Sequence, residues 1–361
     1  MKLTMRSPAY PAFGLTLVVN HACNLRCSYC YTGAKFHAAM PVEMGEHAIR
    51  RALASVQVGG VLLMGFFGGE PLIEVARIRE WMNTARLAAL SQGKQVRFNI
   101  TTNGTITDTD AQAVLMEPDL ELAVSCDGTA DQHDKHRRHA QGHGSFTQVE
   151  ASLRKLIAAR RPFSVVMVVR PDTLDGLPAG LAHLRELGVT RFTLSLDVWA
   201  KWTGDDMDNL SRAVDAAANL WHSWLPDVSI DWFDTRIAAL AGIASTGAET
   251  RCSFGEGEIT VAPSGRLYPC ERLVGDDRAN HPLQLPGVVS DGEDFLGMNA
   301  PCTGHGDGCG TSSGCRCSNY VRTGSTTSED GLLKALDKAI HHSLERLITA
   351  THARTGGNHH E

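Results

Sequence analysis

The sequence predicts an α/β fold: a partial (β/α)6 TIM-like barrel, then a small Cys-rich C-terminal domain and a terminal helix. Three observations carry this. Apolar, β-rich stretches alternate six times with stretches of helical periodicity between residues 15 and 224. The loops after the first four strands are polar and glycine-rich. Cysteines gather at both ends, three between residues 23 and 30 and six between residues 252 and 317, with Cys126 alone between the groups.

Residues 15–20 read as the first strand. Residues 41–56 follow as a helix, with Met44, Ala48, Ile49, Ala52 and Val56 at helical spacing behind Pro41, a residue suited to a first turn. The alternation repeats as strand 61–67 and helix 75–90, strand 95–104 and helix 108–116, strand 120–128 and helix 145–160. It ends with strand 162–169 and helix 174–188, then strand 191–199 and helix 208–224. Such a run implies a parallel sheet with helices outside it, and at about 220 residues it falls short of a closed eight-unit barrel. Functional residues then belong in the loops at the strand C-terminal ends. Beyond the barrel, residues 259–261 and 266–268 read as a hairpin around a Pro-Ser-Gly turn. The stretch 302–317 is too glycine-rich for a core of its own, so metal would have to organise it. The closing helix carries a stripe of Leu332, Leu333, Leu336, Ile340, Leu344 and Leu347 that should dock on the core. The expected domains are residues 1–235, 236–325 and 326–361.

Composition sets the outer limits. With 361 residues, 43% of them hydrophobic, the chain can build a core without disulfide staples. A net charge of −6 supplies no basic field for nucleic acid. Apolar runs such as 15–19 and 165–169 are far shorter than the roughly 20 residues that cross a bilayer. The first residues lack a secretory signal, which places the expected location in the cytoplasm and keeps the ten cysteines reduced. Grouped, reduced cysteines are more often metal ligands or redox groups than staples.

The strand tips carry the chemistry. CNLRCSYC follows the first strand, GGEP (Gly68, Gly69, Glu70, Pro71) the second, TTNG with Asn103 the third, and SCDG with Ser125 and Asp127 the fourth. Each alone is ordinary turn chemistry; together they describe one site. Cys23, Cys27 and Cys30 can converge on one metal centre, where structural zinc would want a fourth ligand, for which His21 is the nearby candidate. A thioredoxin-like reading of Cys27 to Cys30 leaves Cys23 without a use. Cys126 reads as a small buried hydrophobe, and His133, His136, His139 and His143 as solvated loop residues without metal.

Cx3CxxC after a first strand, with GGEP after the second, closely resembles the radical S-adenosylmethionine (SAM) enzymes, over residues 13 to about 235. The resemblance implies that Cys23, Cys27 and Cys30 hold a [4Fe–4S] cluster whose open iron chelates SAM, and that its electron cleaves SAM to a 5′-deoxyadenosyl radical. It implies that Glu70 accepts from the SAM ammonium between glycines that admit the backbone, that Tyr29 packs near the adenine, and that Asn103, Ser125 and Asp127 contact the SAM amino acid and ribose. In HDKHR, Arg137 matches the family's H-D-x-x-R stretch and would grip a carboxylate, with Arg138 as its rival.

The tail resembles the SPASM extension, or its shorter twitch relative, which carries auxiliary iron–sulfur clusters in peptide- and protein-modifying members. Cys252 and Gly265-x4-Cys270 fit that pattern, whereas Cys302, Cys309, Cys315 and Cys317 are spaced by six, five and one residues and no later cysteine follows. Six thiolates cannot give two clusters four each. Either one auxiliary cluster is fully ligated or two share these cysteines with open or other ligands such as His305, two being the expectation; a zinc ribbon at 309–317 is the alternative. Glu271 stands where the related anaerobic sulfatase-maturing enzymes place an aspartate thought to act as base, and could take a proton from an oxidising substrate radical.

These readings imply a radical SAM oxidoreductase that abstracts hydrogen from a side-chain carbon of a ribosomally made precursor peptide and modifies it, by crosslinking as the first expectation. The alternatives are a formylglycine-forming sulfatase maturase, a small-molecule dehydrogenase, and a non-enzymatic iron–sulfur or zinc protein. Expected partners are the peptide or protein substrate, a flavodoxin or ferredoxin reductant, and a separate leader-binding protein, since about a dozen residues before the first strand encode no leader-binding domain.

Overall fold

The computed structural model describes residues 9–242, 254–300 and 315–356. Strands β1 (Tyr10–Asn20), β2 (Val56–Gly68), β3 (Gln95–Thr102), β4 (Leu120–Ser125), β5 (Ser164–Val169) and β6 (Arg191–Leu196) are the six expected strands. Between and after them run α1 (Val42–Ser55), α2 (Val75–Ser91), α3 (Thr109–Leu115), α4 (Ala130–His136), α5 (Phe146–Ala158), α6 (Leu177–Leu187) and α7 (Gly204–Ser223). A two-residue β7 (Ser229–Ile230) and α8 (Asp231–Leu240) follow, then β8 (Glu258–Val261), β9 (Leu267–Tyr268), α9 (Arg316–Thr323) and α10 (Gly331–Gly356).

The strands form one sheet in the order β7-β6-β5-β4-β3-β2-β1-β8-β9, every neighbouring pair parallel except β8 with β9, which is antiparallel. The apolar alternation sets the helix positions, and polar caps set their starts: the Asp108 carboxylate accepts from Ala111 N at 2.9 Å to open α3, and Thr203 with Asp206 forms a capping box on α7. Cys126, just past β4, is fully buried, and burial pushes its thiol up to about 12, as befits a core residue.

Four features differ from the sequence reading. The β2 strand starts at Val56 directly from the end of α1, because a bulge lets Tyr10 pair with Val56 and Ala12 with Val61, with Gly59 turning at φ +78°. The short helices α4 and α9 carry mostly polar residues, so no apolar period announced them, and α8 was not expected either. Residues 235 and 236, the expected first boundary, both lie inside α8. The tail hairpin joins the barrel sheet, since β8 pairs in parallel with β1 from Gly14↔Glu258 to Leu17↔Val261.

One apolar core therefore runs from the barrel into the tail, taking in Ile259, Leu267, Leu285 and Phe295 together with Phe13 and Leu53. The closing helix docks as expected: Leu332, Ile340, Leu344 and Leu347 are buried, Leu333 and Leu336 partly so. Among the described residues no helix is long and apolar enough to cross a membrane.

Candidate active site

The cysteine loop leaves the sheet at the C-terminal end of β1 and is clamped from two sides. On one side Gly69 N donates to Asn20 O at 2.8 Å and Glu70 N to Ala22 O at 2.9 Å. The two glycines of GGEP make this approach feasible: a Cβ on Gly68 would lie 2.3 Å from Asn20 O, and one on Gly69 would lie 2.1 Å from Ala22 O. On the other side Arg26 N donates to Arg138 O at 2.6 Å and Ser28 N to His136 O at 3.1 Å, with Leu25 and His139 bridging antiparallel. The end of the HDKHR stretch and the two residues after it thus brace the loop with their backbone.

Cys23, Cys27 and Cys30 line one cavity of about 410 Å³ at the C-terminal ends of the strands. His21 is not in its lining; its ring stacks on Phe36 at 4.7 Å. Burial pushes the Cys27 thiol up to about 11 against the pull of Arg137, and burial likewise raises Cys23. Burial also acts on Cys30, but Lys35 Nζ at 3.1 Å and Thr32 hold its thiol below the ordinary value. Among the described residues no three His, Cys, Asp or Glu side chains surround a common ion position. Three thiols spread along one cavity wall, with no fourth ligand from His21, suit separate irons of a cluster better than a closed zinc shell.

Glu70 is 1% exposed, at the turn after β2, and Pro71 next to it is buried and begins a 3-10 turn. Its carboxylate accepts from Leu72 N at 3.1 Å, Thr102 Oγ1 at 2.8 Å and Asn103 N at 2.7 Å. Burial lifts it to about 7 in spite of these donors. Asn103 in turn donates to Asn24 Oδ1 at 2.8 Å and lies 3.8 Å from Cys23 Sγ, so Glu70 ties the third strand tip to the cysteine loop. Both residues, with Gly68, Gly69, Ser125, Tyr29 and Arg137, line the cavity.

Asp127 is the expected ligand-contacting residue that the structure turns elsewhere. It is not in the cavity lining; its carboxylate accepts from the Tyr29 hydroxyl, from Arg137 Nε at 2.9 Å and from Val168 N at 3.0 Å. Burial favours its protonation, but Arg137 outweighs this and holds it below the usual carboxylate range. The Arg137 guanidinium lies 5.3 Å over the Tyr29 ring. Arg138, its rival, is an outer residue bonded to Gly142 O. Of the four loop histidines, His133 is fully buried, receiving Asp127 N on Nδ1 and facing Ser145 Oγ at 2.9 Å, and burial lowers it to about 4. His136 is also buried and faces Ser28 Oγ at 2.6 Å, so neither is a solvated residue.

From the tail, Cys270, Cys315 and Cys317 form a row, with Sγ atoms 3.5 Å apart for Cys270 and Cys317 and 3.1 Å for Cys315 and Cys317. Cys252, Cys302, Cys309 and His305 lie outside the described residues. Glu271 opens a 3-10 turn after Cys270 and lines the cavity together with Arg272. Sequence reasoning missed Tyr31, Lys35, Asp197, Trp199, Asp231 and Arg272, all in the lining. Asp197 and Trp199 sit just past the tip of β6, where the strand-end rule alone would have found them. Burial raises Asp231 to about 6, beside Leu194 N at 2.9 Å.

Residues 17–179 match the family model of the radical SAM superfamily, a match that implies SAM and a [4Fe–4S] cluster. A cysteine-type anaerobic sulfatase-maturating enzyme of Clostridium novyi (strain NT) is 25% identical over 275 residues, 71% of this chain and 72% of that protein. A PqqA peptide cyclase of Granulibacter bethesdensis is 24% identical over 371 residues, 94% of this chain and 91% of that protein. Among solved structures, native anSMEcpe with bound AdoMet superposes with a TM-score of 0.66 at 18% identity, covering 78% of this chain and 79% of that one; this likeness shows the fold.

Proposed function

We propose, from the premise that this chain is a SAM-dependent radical SAM oxidoreductase, that it oxidises a side chain of a peptide or protein substrate in the manner of the sulfatase-maturating enzymes it resembles. One observation carries the reading: Glu271 and Arg272 of the tail face the same cavity as Cys23, Cys27, Cys30 and Glu70 of the barrel. When bound, the cluster and SAM supply a 5′-deoxyadenosyl radical that removes a hydrogen atom from carbon.

The chain's own residues then have distinct tasks. Cys23, Cys27 and Cys30 would hold the cluster, and Glu70, Asn103, Ser125 and Tyr29 would position SAM. Asp127 holds Arg137 and Tyr29 in place from behind the wall. Glu271, whose Oε2 is 3.6 Å from Cys270 Sγ, would take the proton that the substrate's thiol or hydroxyl releases as the neighbouring carbon radical is oxidised. Cys270, Cys315 and Cys317 would ligate auxiliary iron, which would supply an acceptor for the electron, two auxiliary clusters being the fuller use of the six tail cysteines.

A second reading, oxidative crosslinking of a ribosomally made precursor, is favoured by the peptide-cyclase relative, which matches 94% of this chain. The test is anaerobic reconstitution with dithionite and SAM, then mass spectrometry of a cysteine-containing sulfatase peptide and of each small peptide encoded beside the gene. Conversion of thiol to aldehyde supports maturation, and loss of two hydrogens with an intact thiol supports crosslinking. Absence of 5′-deoxyadenosine release would falsify both.

A further inference from the structure

We infer that Arg272 is a carboxylate-binding subsite for the substrate, set in the wall between the reaction cavity and an outer pocket. The outer pocket, of about 390 Å³, shares Tyr31, Trp199 and Arg272 with the reaction cavity. A peptide reaching the cysteine loop from that pocket passes these three side chains.

The half-buried guanidinium spans the barrel and the tail. One Nη donates to Ser195 Oγ on β6 and the other to Ser318 Oγ on α9, each at a long 3.3 Å. Among the described residues no carboxylate lies within ion-pair distance of it, although Glu271 and the thiols of Cys315 and Cys317 add to the field that keeps it charged. A half-buried cation held by two weak hydroxyl contacts leaves most of its five donors unspent, and a partly desolvated guanidinium without a directly bonded carboxylate is open to one. The planar fork matches a carboxylate with two parallel hydrogen bonds.

The wall beside it is flat and apolar. Tyr31 and Trp199 stack at 4.6 Å with planes 6° apart, and Phe67 continues the stack beyond Tyr31 at 6.2 Å. Trp199 is 40% exposed, an aromatic surface open to a passing chain. The occupant that fits is a peptide carrying an acidic side chain, or a terminal carboxylate, next to the residue that enters the cavity.

The subsite rests on the peptide-substrate reading above and deepens it. The test uses anaerobically reconstituted protein, wild type, Arg272→Gln and Arg272→Lys, and fluorescence anisotropy with labelled synthetic decapeptides. The peptides differ only in a central Asp or Asn with an amidated end, and in a free or amidated end with central Asn. Wild type should bind the Asp peptide, or the free-acid peptide, about tenfold more tightly than its neutral counterpart, and which of the two does so identifies the carboxylate's source. Arg272→Gln should abolish the preference and Arg272→Lys restore part of it. Equal binding of charged and neutral peptides by wild type, no binding of either, or a preference retained in Arg272→Gln overturns the subsite. Loss of tail iron from Arg272→Gln with the peptide preference intact would overturn it too, and assign the guanidinium to the auxiliary centre. Wild-type release of 5′-deoxyadenosine separates the two levels, because the radical reading fails without it whatever the peptides do.

Discussion

At the residue scale, Glu70 and Asp127 are both buried carboxylates and carry opposite pH signatures. Glu70 titrates near 7 in the fold against an ordinary 4.5, because burial favours its neutral form. Between those values the unfolded chain has lost a proton that the folded chain keeps, so stability falls as pH rises through the window and levels off above it. Glu70→Gln should flatten that fall, checked by urea midpoints of both proteins without metal at about pH 5 and about pH 8. Asp127 is held low by Arg137, so its contribution is present at neutral pH and lost as pH falls through its folded value. Arg137→Gln strands that carboxylate in the interior and should cost about 3 to 5 kcal/mol in denaturant unfolding at neutral pH; a loss below about 1 kcal/mol would mean that water reaches the pair. The sequence made Arg137 legible through its motif. Its partnership with Asp127 was not legible, since it depends on the turn of α4, a helix with no apolar period to reveal it.

At the scale of elements, the cysteine loop takes its shape from two neighbouring strand tips, so its weakest points lie outside it. Gly69→Ala would drive a methyl to 2.1 Å from Ala22 O, and neither backbone can retreat without breaking the Glu70 N to Ala22 O bond. Iron bound per chain after reconstitution should drop by most of the front cluster's share, even though every thiol is intact. Gly204→Ala is the matched control. It opens α7 behind the Thr203 cap, with nothing within 4 Å of the added methyl, and should raise stability by about 0.5 to 1 kcal/mol. If Gly69→Ala keeps its full iron content, the loop does not depend on the clamp. The same contrast explains what could be read in advance. Six strands and their long helices announce themselves through apolar periods, and GGEP through its glycines; the contact between GGEP and the loop is a tertiary fact, 47 residues apart for Ala22 and Gly69.

At the scale of the whole molecule, the position of β8 ties the tail to the barrel. It extends the sheet past β1, and Arg51 of α1 fastens the segment beyond it: Nη1 donates to Val288 O and Val289 O at 3.1 and 3.0 Å, and Nη2 to Asp294 O at 2.7 Å. The same guanidinium lies 4.1 Å over Phe295, whose ring stacks on Phe13 at 5.7 Å. Arg51 stood inside a helix pattern as an ordinary polar position, so nothing in the sequence marked it as the fastener. Its contacts imply that barrel and tail lose structure together. In urea, far-ultraviolet circular dichroism reports mainly the barrel helices, while the rate at which Cys270 and Cys317 react with a thiol reagent reports the tail. For the wild-type chain without metal the two midpoints should coincide. Arg51→Met leaves three carbonyls without their donor and should lower both midpoints equally, with a loss of about 2 to 4 kcal/mol in unfolding free energy. If the thiols open well before the helices melt, the tail is an independent unit, and the cavity that Glu271 and Arg272 share with the cysteine loop would then depend on how the two units dock.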